Sequence, residues 1–467
     1  MEWPRLEPGT VIDGFTVGER LHKGGMAELF GVTRPGETMP LVMKVPILRE
    51  GEDPAAIVSF EMEQMIMPLL RGPHVPRFVA NGALSLNPYI VMELIPGTTL
   101  LPHVEHLPMP VTEVARLGAR IGDALGSLHG QGLVHLDVKP SNIMVRATGE
   151  AVLIDFGLAR HRELPDLMSE EFRLPYGTAP YMAPEQVLGV RSDPRSDLFA
   201  LGVLMYFFAT GVEPHGDPQR LKGLKQRLWR APAPPRALKP DMPKWFQETL
   251  LRCLEVKAGR RHASAAQLAF DLRHPDQVVL SERADRLHRQ SFFAMLKQRA
   301  EPERALIDPP PPHPAGPADA PIVAVAIDLG AAQEQIHAAL RRTIALVLDR
   351  APGARLACVN VLKQARLTLD TTLDEGGHNK HVQRLVELKD WAYPLGLAAG
   401  RATFHVLEAV DPAEAILDYA RVNKVDHIVM GARTNSAKRK RLGSVSGKVA
   451  AEAPCTVTVV RDRHFGS

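Results

Sequence analysis

HLDVKPSN, His135 to Asn142, sets an imidazole, a carboxylate, an ammonium and a carboxamide in one short stretch, with Leu136 between the first two. Working outward, LHKGGMAELFGV (Leu21 to Val32) places Gly24 and Gly25 between two strand-like runs, and LVMK brings Lys44 to the end of an apolar strand. SFEMEQMIMPLL then offers Glu63 on an amphipathic helix, and VLIDFGLAR carries Asp155, Phe156 and Gly157. A buried ammonium needs a counter-charge, which a helix carboxylate supplies. Paired glycines let backbone amides approach phosphate oxygens, although two glycines in a turn also make an ordinary hairpin.

Taken together these residues suit phosphoryl transfer, which needs oxygen ligands for Mg²⁺, cations on the migrating phosphate and a carboxylate at the attacking hydroxyl. Asn142 and Asp155 are candidates for the metal, Asp137 for the hydroxyl proton, and Lys44 and Lys139 for the phosphate charge.

The rest of the chain sets the frame. Its 467 residues predict two to four domains. Lys plus Arg number 56 against 53 Asp plus Glu, so no global field draws the chain to nucleic acid or anionic membrane, and neither is expected as a partner. Cys253, Cys358 and Cys455 form no Cys-x-x-Cys pair, which suits a reducing compartment. MEWPRLEPGT lacks a signal-peptide pattern, and the apolar run from Leu198 is shorter than the ~18 residues that suggest a membrane span. A soluble, cytoplasmic protein is expected.

Between Ala300 and Pro321 repeated prolines favour an extended path, the expected linker. Residues 279–320 thus read as a charged helix (VLSERADRLHRQSFFAMLKQ, Val279 to Gln298) followed by this linker. Ahead lies a domain over 1–278, with a β-rich lobe to about residue 93, a bend at Pro96 and Gly97, and an α-rich lobe from about residue 97. Behind it, 321–467 alternates β-branched runs with amphipathic stretches, which predicts a parallel sheet with helices on both faces.

The ordered series from the glycine loop through Lys44, Glu63, HLDVKPSN, Asp155-Phe156-Gly157 and Ala183-Pro184-Glu185 resembles the eukaryotic-like protein kinases, in particular the bacterial Ser/Thr kinases. The resemblance implies a bilobal α+β kinase fold using ATP with Mg²⁺, or Mn²⁺ in its place. It makes Met92 the gatekeeper, gives Glu93 and Ile95 the hinge contacts to adenine, and lines the pocket with Leu21, Leu29, Val42 and Met144. It assigns Asp137, Lys139 and Lys44 to catalysis and Asn142 and Asp155 to the metal. Glu185 is expected to pair with Arg261, and Asp197 is the matching aspartate of the central helix. Lys139 and Thr178 point to a Ser/Thr hydroxyl on a protein substrate, this chain included. Two positions depart from the family pattern: His22 and Ala27 stand where glycines are usual, which leaves open an ATP-binding, pseudokinase-like scaffold with negligible phosphorylation.

From Pro321 onward, VAVAID and DHIVMGARTNSAKRKRLGSVSGKVAAEAPCTVTVVR resemble the universal stress protein family, which implies a five-stranded parallel α/β domain for nucleotide sensing or dimerisation. Gly431, Gly443 and Ser444 match its nucleotide-binding pattern, but Thr434 replaces a glycine and the interval to Gly443 is one residue short. Asp328 reads equally as a nucleotide contact or a helix N-cap. The cationic run Lys438 to Arg441 reads as a phosphate contact or a solvated loop. The last strand, TVTVVR, offers an edge for a homodimer.

Leu136 is the informative departure. Many kinases place arginine here, a buried cation neutralised by a phosphate on the activation segment. Leucine removes the receiver, and between Gly157 and Gly177 the only aliphatic hydroxyl is Ser169, beside Glu170 and Glu171. The expectation is that phosphorylation of that segment is not the main switch, the alternative being that Leu136 is a packing substitution and that regulation runs through Arg160 or Arg162. Turnover of the Ser169-phosphorylated and unphosphorylated forms should differ by less than about tenfold, a larger rise pointing back to a phosphate switch.

Overall fold

A computed structural model describes residues 6–47, 54–83, 88–172, 175–300, 307, 320–330, 334–364, 379–398, 400–432 and 443–461. Strict alternation along LVMK decides the first lobe: Leu41 and Met43 turn to one face of the sheet and Val42 to the other. Six antiparallel strands, β1 (Val11–Ile12), β2 (Phe15–Lys23), β3 (Ala27–Thr33), β4 (Leu41–Pro46), β5 (Phe78–Asn81) and β6 (Ile90–Glu93), lie in the order β1-β2-β3-β4-β6-β5. Phe15, Phe30, Met43 and Val91 fill the outer face. The inner face packs on α1 (Pro54–Ile66).

Helix α1 is apolar nearly all round because it is covered from several sides. Val58, Met62 and Ile66 join the core of the first domain, whereas Ile57 lies in the core of the second.

The α-rich lobe is built on α2 (Val111–Gly130) and, after the short α3 (Leu167–Glu171), on α4 (Arg195–Thr210), α5 (Lys244–Cys253) and α6 (Ala265–Arg273). The apolar run from Leu198 is the buried α4. A Cβ on Gly118 would collide with Met205, so the bare backbone lets α2 lie close against α4. Two short antiparallel pairs, β7 (Leu133–Val134) with β10 (Arg160–His161) and β8 (Ile143–Val145) with β9 (Ala151–Leu153), frame HLDVKPSN.

The expected helix Val279–Gln298 is corrected. Only α7 (Phe292–Arg299) is helical in that stretch. Residues 281–286 instead run irregularly against α5, where Gln247 Nε2 donates to the carbonyls of Arg283, Ala284 and Arg286. Arg283 reaches Glu248 at 2.9 Å and Glu255 at 2.8 Å, and Ala284 is fully buried. Two of the charges that mimic a solvated helix, Arg283 and Asp285, are ion-pair partners of the lobe, Asp285 with Lys244 at 2.5 Å. Most of the proline-rich linker, with Thr434 and Lys438 to Arg441, lies outside the described residues.

The second domain is a five-stranded all-parallel sheet of β11 (Ile322–Ala326), β12 (Arg355–Lys363), β13 (Ala402–Ala409), β14 (His427–Gly431) and β15 (Thr456–Val460), in the order β13-β12-β11-β14-β15. Helices α8 (Glu334–Arg350) and α9 (Lys380–Ala392) cover one face, α10 (Pro412–Val422) and α11 (Ser444–Glu452) the other. Among the described residues no helix is long and apolar enough to cross a membrane.

The domains meet at α1 and α3. Glu170 accepts from Arg355 at 2.7 and 3.1 Å, from His405 Nε2 at 3.2 Å and from the Tyr419 hydroxyl at 3.2 Å, while Glu171 lies 3.0 Å from His405 Nδ1. His405 has no solvent exposure. Burial alone would lower its pKa, but the hydrogen bonds to Glu170 and Glu171 raise it to about 9. Arg355 from β12 and the Tyr419 phenol, pushed up by burial, complete the ionisable surroundings. A histidine held charged above its ordinary value stabilises fully below its unfolded pKa near ~6.5, and that stabilisation fades as pH rises through the folded value. Between pH ~6.5 and ~9 the melting temperature of the wild type should therefore fall relative to His405→Gln, in differential scanning calorimetry of the two full-length chains.

Candidate active site

The loop after β7 is shaped from below by Asp197, in the first turn of α4. Its fully buried carboxylate accepts the His135 N–H at 2.9 Å and the Leu136 N–H at 2.8 Å, and lies 2.9 Å from His129 Nε2. These bonds hold Leu136 at φ 64°, in the left-handed region that a non-glycine residue seldom occupies.

Asp137 follows, nine-tenths buried, and its carboxylate gathers three side chains. Lys139 Nζ lies at 2.8 Å, Asn142 Nδ2 donates at 3.0 Å, and Thr178 donates from its hydroxyl at 2.8 Å and its N–H at 3.2 Å. Lys139 also donates to Thr178 Oγ1 at 2.8 Å. Because Asn142 Nδ2 serves both the carboxylate and the Asp137 carbonyl, its Oδ1 is turned away from Asp137.

A second group closes from the sheet side. Lys44 Nζ lies 2.5 Å from Glu63 on α1 and 3.2 Å from Asp155. Burial alone would lower the Lys44 pKa, but the carboxylates of Asp155 and Glu63 raise it above its ordinary value, so the side chain stays cationic. Lys44 in turn holds the half-exposed Asp155 carboxyl below the usual range. Phe156 is fully buried and leans on the His135 ring, with centroids 5.4 Å apart. Gly157 presses on α1 so closely that a Cβ would strike the Ser59 hydroxyl and sit 3.0 Å from the Ser59 carbonyl oxygen. The Asp155 carboxylate and the Asn142 amide oxygen match the small donor set of a hard divalent cation whose shell is completed by phosphates and water.

Of the expected nucleotide wall, Leu29, Val42 and Met92 pack in one cluster, and Met144 bridges to Thr99. Leu21 is half exposed on β2, and Ile95 is buried. Glu93 turns its side chain to Arg146, at 2.5 Å, and its N–H is taken by the Arg77 carbonyl. The Gly24 N–H closes the hairpin tip on the Ala27 carbonyl at 2.9 Å, whereas a side chain on Gly25 would meet nothing within 4 Å. Beneath the cleft Arg261 and Glu185 form a buried bidentate pair at 2.7 Å, as the resemblance implies.

In the second domain Asp328, Gly431, Gly443 and Ser444 line one cavity of about 1080 Å³. It opens at the carboxyl ends of β11 and β14, where the strand order reverses, the usual place for a ligand in such sheets. Asp328 Oδ1 accepts from the Gly330 N–H at 3.2 Å within its own loop. Sequence reasoning missed Asn360, which lines this cavity and whose buried Oδ1 has no hydrogen-bond partner among the described residues. It also missed the residues that meet Glu170; a polar residue inside the apolar run RLACVNVL was the available signal for the first, and the paired glutamates beside Ser169 for the second.

The model of the protein kinase domain family matches residues 15–271, and that of the universal stress protein family residues 321–461. The serine/threonine-protein kinase pkn2 of Myxococcus xanthus is 33% identical over 271 residues, 56% of this chain and 32% of that protein. The serine/threonine-protein kinase PknL of Mycobacterium tuberculosis is 31% identical over 268 residues, 57% of this chain and 67% of that protein. The crystal structure of the Mycobacterium tuberculosis PknI kinase domain is 23% identical, covering 58% of this chain and 99% of that one with a TM-score of 0.46. The match thus spans about a third of the Myxococcus relative.

Gly157→Val should push α1 outward and part Lys44 from Glu63. Calorimetry is expected to show affinity for an ATP analogue with Mg²⁺ weakened by about tenfold or more, with the circular dichroism of the fold retained.

Proposed function

Because the chain belongs to the protein kinase family and carries a universal stress protein domain behind the kinase fold, we propose that it transfers the ATP γ-phosphate to a serine or threonine hydroxyl of a protein. The observation that carries this reading is the Asp137 network with Lys139, Asn142 and Thr178, facing the closed Lys44–Glu63–Asp155 group.

When bound, ATP with Mg²⁺ or Mn²⁺ supplies the phosphoryl group and draws charge from it. Asn142 and Asp155 would hold the metal. Lys44, kept cationic and anchored by Glu63, offsets phosphate charge and fixes the cleft's depth. Asp137 accepts the hydroxyl proton, Lys139 balances the charge that follows, and Thr178 orients the carboxylate between them. Gly24 and Gly25 give backbone amides to the phosphates; Leu21, Leu29, Val42, Met92 and Met144 enclose adenine, with Glu93 and Ile95 as its backbone partners.

The second domain is read as a nucleotide sensor. Its support is the cavity lined by Asp328, Gly431, Gly443 and Ser444, where the buried Asn360 Oδ1 has no donor among the described residues. The outer edge of β15, which among the described strands pairs only with β14, suits a homodimer. A cytoplasmic location and autophosphorylation complete the proposal. The competing reading, a nucleotide-binding scaffold, is favoured only by His22 and Ala27.

The test is transfer of labelled γ-phosphate with Mg²⁺, to the chain itself and to a generic basic protein. Asp137→Asn should lose transfer by about 10²- to 10⁴-fold with ATP binding kept. Binding without transfer in the wild type would favour the scaffold.

A further inference from the structure

Glu170 and Glu171 close a five-residue helix, a segment so short that it has little stability of its own. Their partners come from the other domain. Arg355 at the start of β12, His405 on β13, and Tyr419 and Asn423 on and after α10 converge on these two residues, Asn423 Nδ2 donating to the Glu170 carbonyl at 3.3 Å. The two carboxylates face one guanidinium and one imidazole, so the contact is balanced in charge when His405 is protonated. Arg355, His405 and Tyr419 are each at least nine-tenths buried, so this is a built seat and not a chance touch between surfaces.

A second contact falls on α1. Lys389 on α9 lies 2.6 Å from Glu61, and Ile57 is part of the second domain's apolar core. Glu61 and Ile57 belong to the helix that supplies Glu63 to Lys44. Both held elements are in the assembled arrangement: the Lys44–Glu63 pair is closed, Phe156 is seated, and Thr178 is bonded to Asp137. Leu136 meanwhile offers no cation with which a phosphate on this segment could be ordered.

We propose that the universal stress protein domain is a built-in activator of the kinase, which grips α3 through Glu170 and Glu171 and α1 through Glu61 and Ile57. The carboxylates of Glu170 and Glu171 take the place of a phosphorylated residue, and the receiver is on the second domain. This rests on the kinase reading above for its activity arm, while its structural arm stands separately.

The experiment uses the full chain and the variants Glu170→Arg, Arg355→Glu and the double charge swap, with Glu170→Gln as a milder variant confined to the first domain. Two quantities are read: the initial rate of transfer to a generic basic protein at saturating ATP, and hydrogen–deuterium exchange over 54–66 and 158–172. Each single reversal should lower the rate by about 5- to 150-fold and raise exchange in both segments, and the double swap should recover a large part of both. Rates that stay level or rise in the single variants would overturn the proposal, since the contact would then be idle or a restraint. Should calorimetry show that Arg355→Glu unfolds the second domain, Glu170→Gln decides on the same two readouts. Should the wild type transfer no phosphate, the kinase reading fails and exchange alone decides: unaltered protection in the single variants overturns the grip, and raised exchange in both segments upholds it.

Discussion

A single buried carboxylate sets the geometry of the cleft. Asp197 carries its charge out of water on three nitrogen partners, and two of them are the N–H groups that flank the left-handed turn at Leu136. A non-glycine residue held there costs about 1–3 kcal/mol, which persists only where surrounding bonds over-determine the backbone. That turn sends Asp137 back among Lys139, Asn142 and Thr178, so the reach of the central helix α4 is felt at the reacting position. Glu185 with Arg261 repeats the principle lower down: a buried bidentate pair, with the Arg261 guanidinium 5.0 Å above the Phe199 ring, ties the segment after Thr178 to the same helical base.

Leucine at 136 offers no cation to the activation segment, which is bonded to the catalytic loop through Thr178 and to the second domain through two carboxylates on α3 against Arg355 and His405. Burying four ionisable groups gives little net stability, because desolvation offsets most of the attraction. What such a cluster gives is selectivity of placement. Removing one member leaves an uncompensated charge in the interface, so the segment has one favourable seat and no gradual alternatives. Burial opposes the charge of Glu170, yet His405 and Arg355 hold its carboxyl below the ordinary range, as expected of a group seated ionised.

The first domain's cleft was legible because its residues are local or periodic. HLDVKPSN is one stretch, Lys44 ends an alternating strand, and Glu63 lies on a helix whose apolar positions mark it as buried. The second domain was legible for the same reason, since RLACVNVL and TFHVLEAV read as strands, between amphipathic runs. Tertiary chemistry hid the rest. The charges of Val279–Gln298 suggest a solvated helix, and it is Gln247 and Arg236, far upstream, whose side chains take the backbone carbonyls there. Glu170 looks like a solvent-facing charge until residues 185 to 253 positions away are brought to it. Asn360 reads as a weak point in a strand, and becomes a candidate contact only once the sheet places it at the cavity.

The two edges of the second sheet divide the remaining tasks. An exposed parallel edge presents unpaired N–H and C=O groups and must be covered, blunted or used. On the β13 side, α3 of the kinase domain reaches the His405 side chain through Glu170 and Glu171. The opposite edge, β15, pairs only with β14 among the described strands. Three strands separate the two, at ~4.8 Å per strand step, so pairing two copies along β15 leaves the Glu170 seat untouched. The proposed self-association and the proposed grip on the activation segment therefore call on different parts of the sheet. A dimer built on β15 would carry two kinase domains that are each already held by their own second domain.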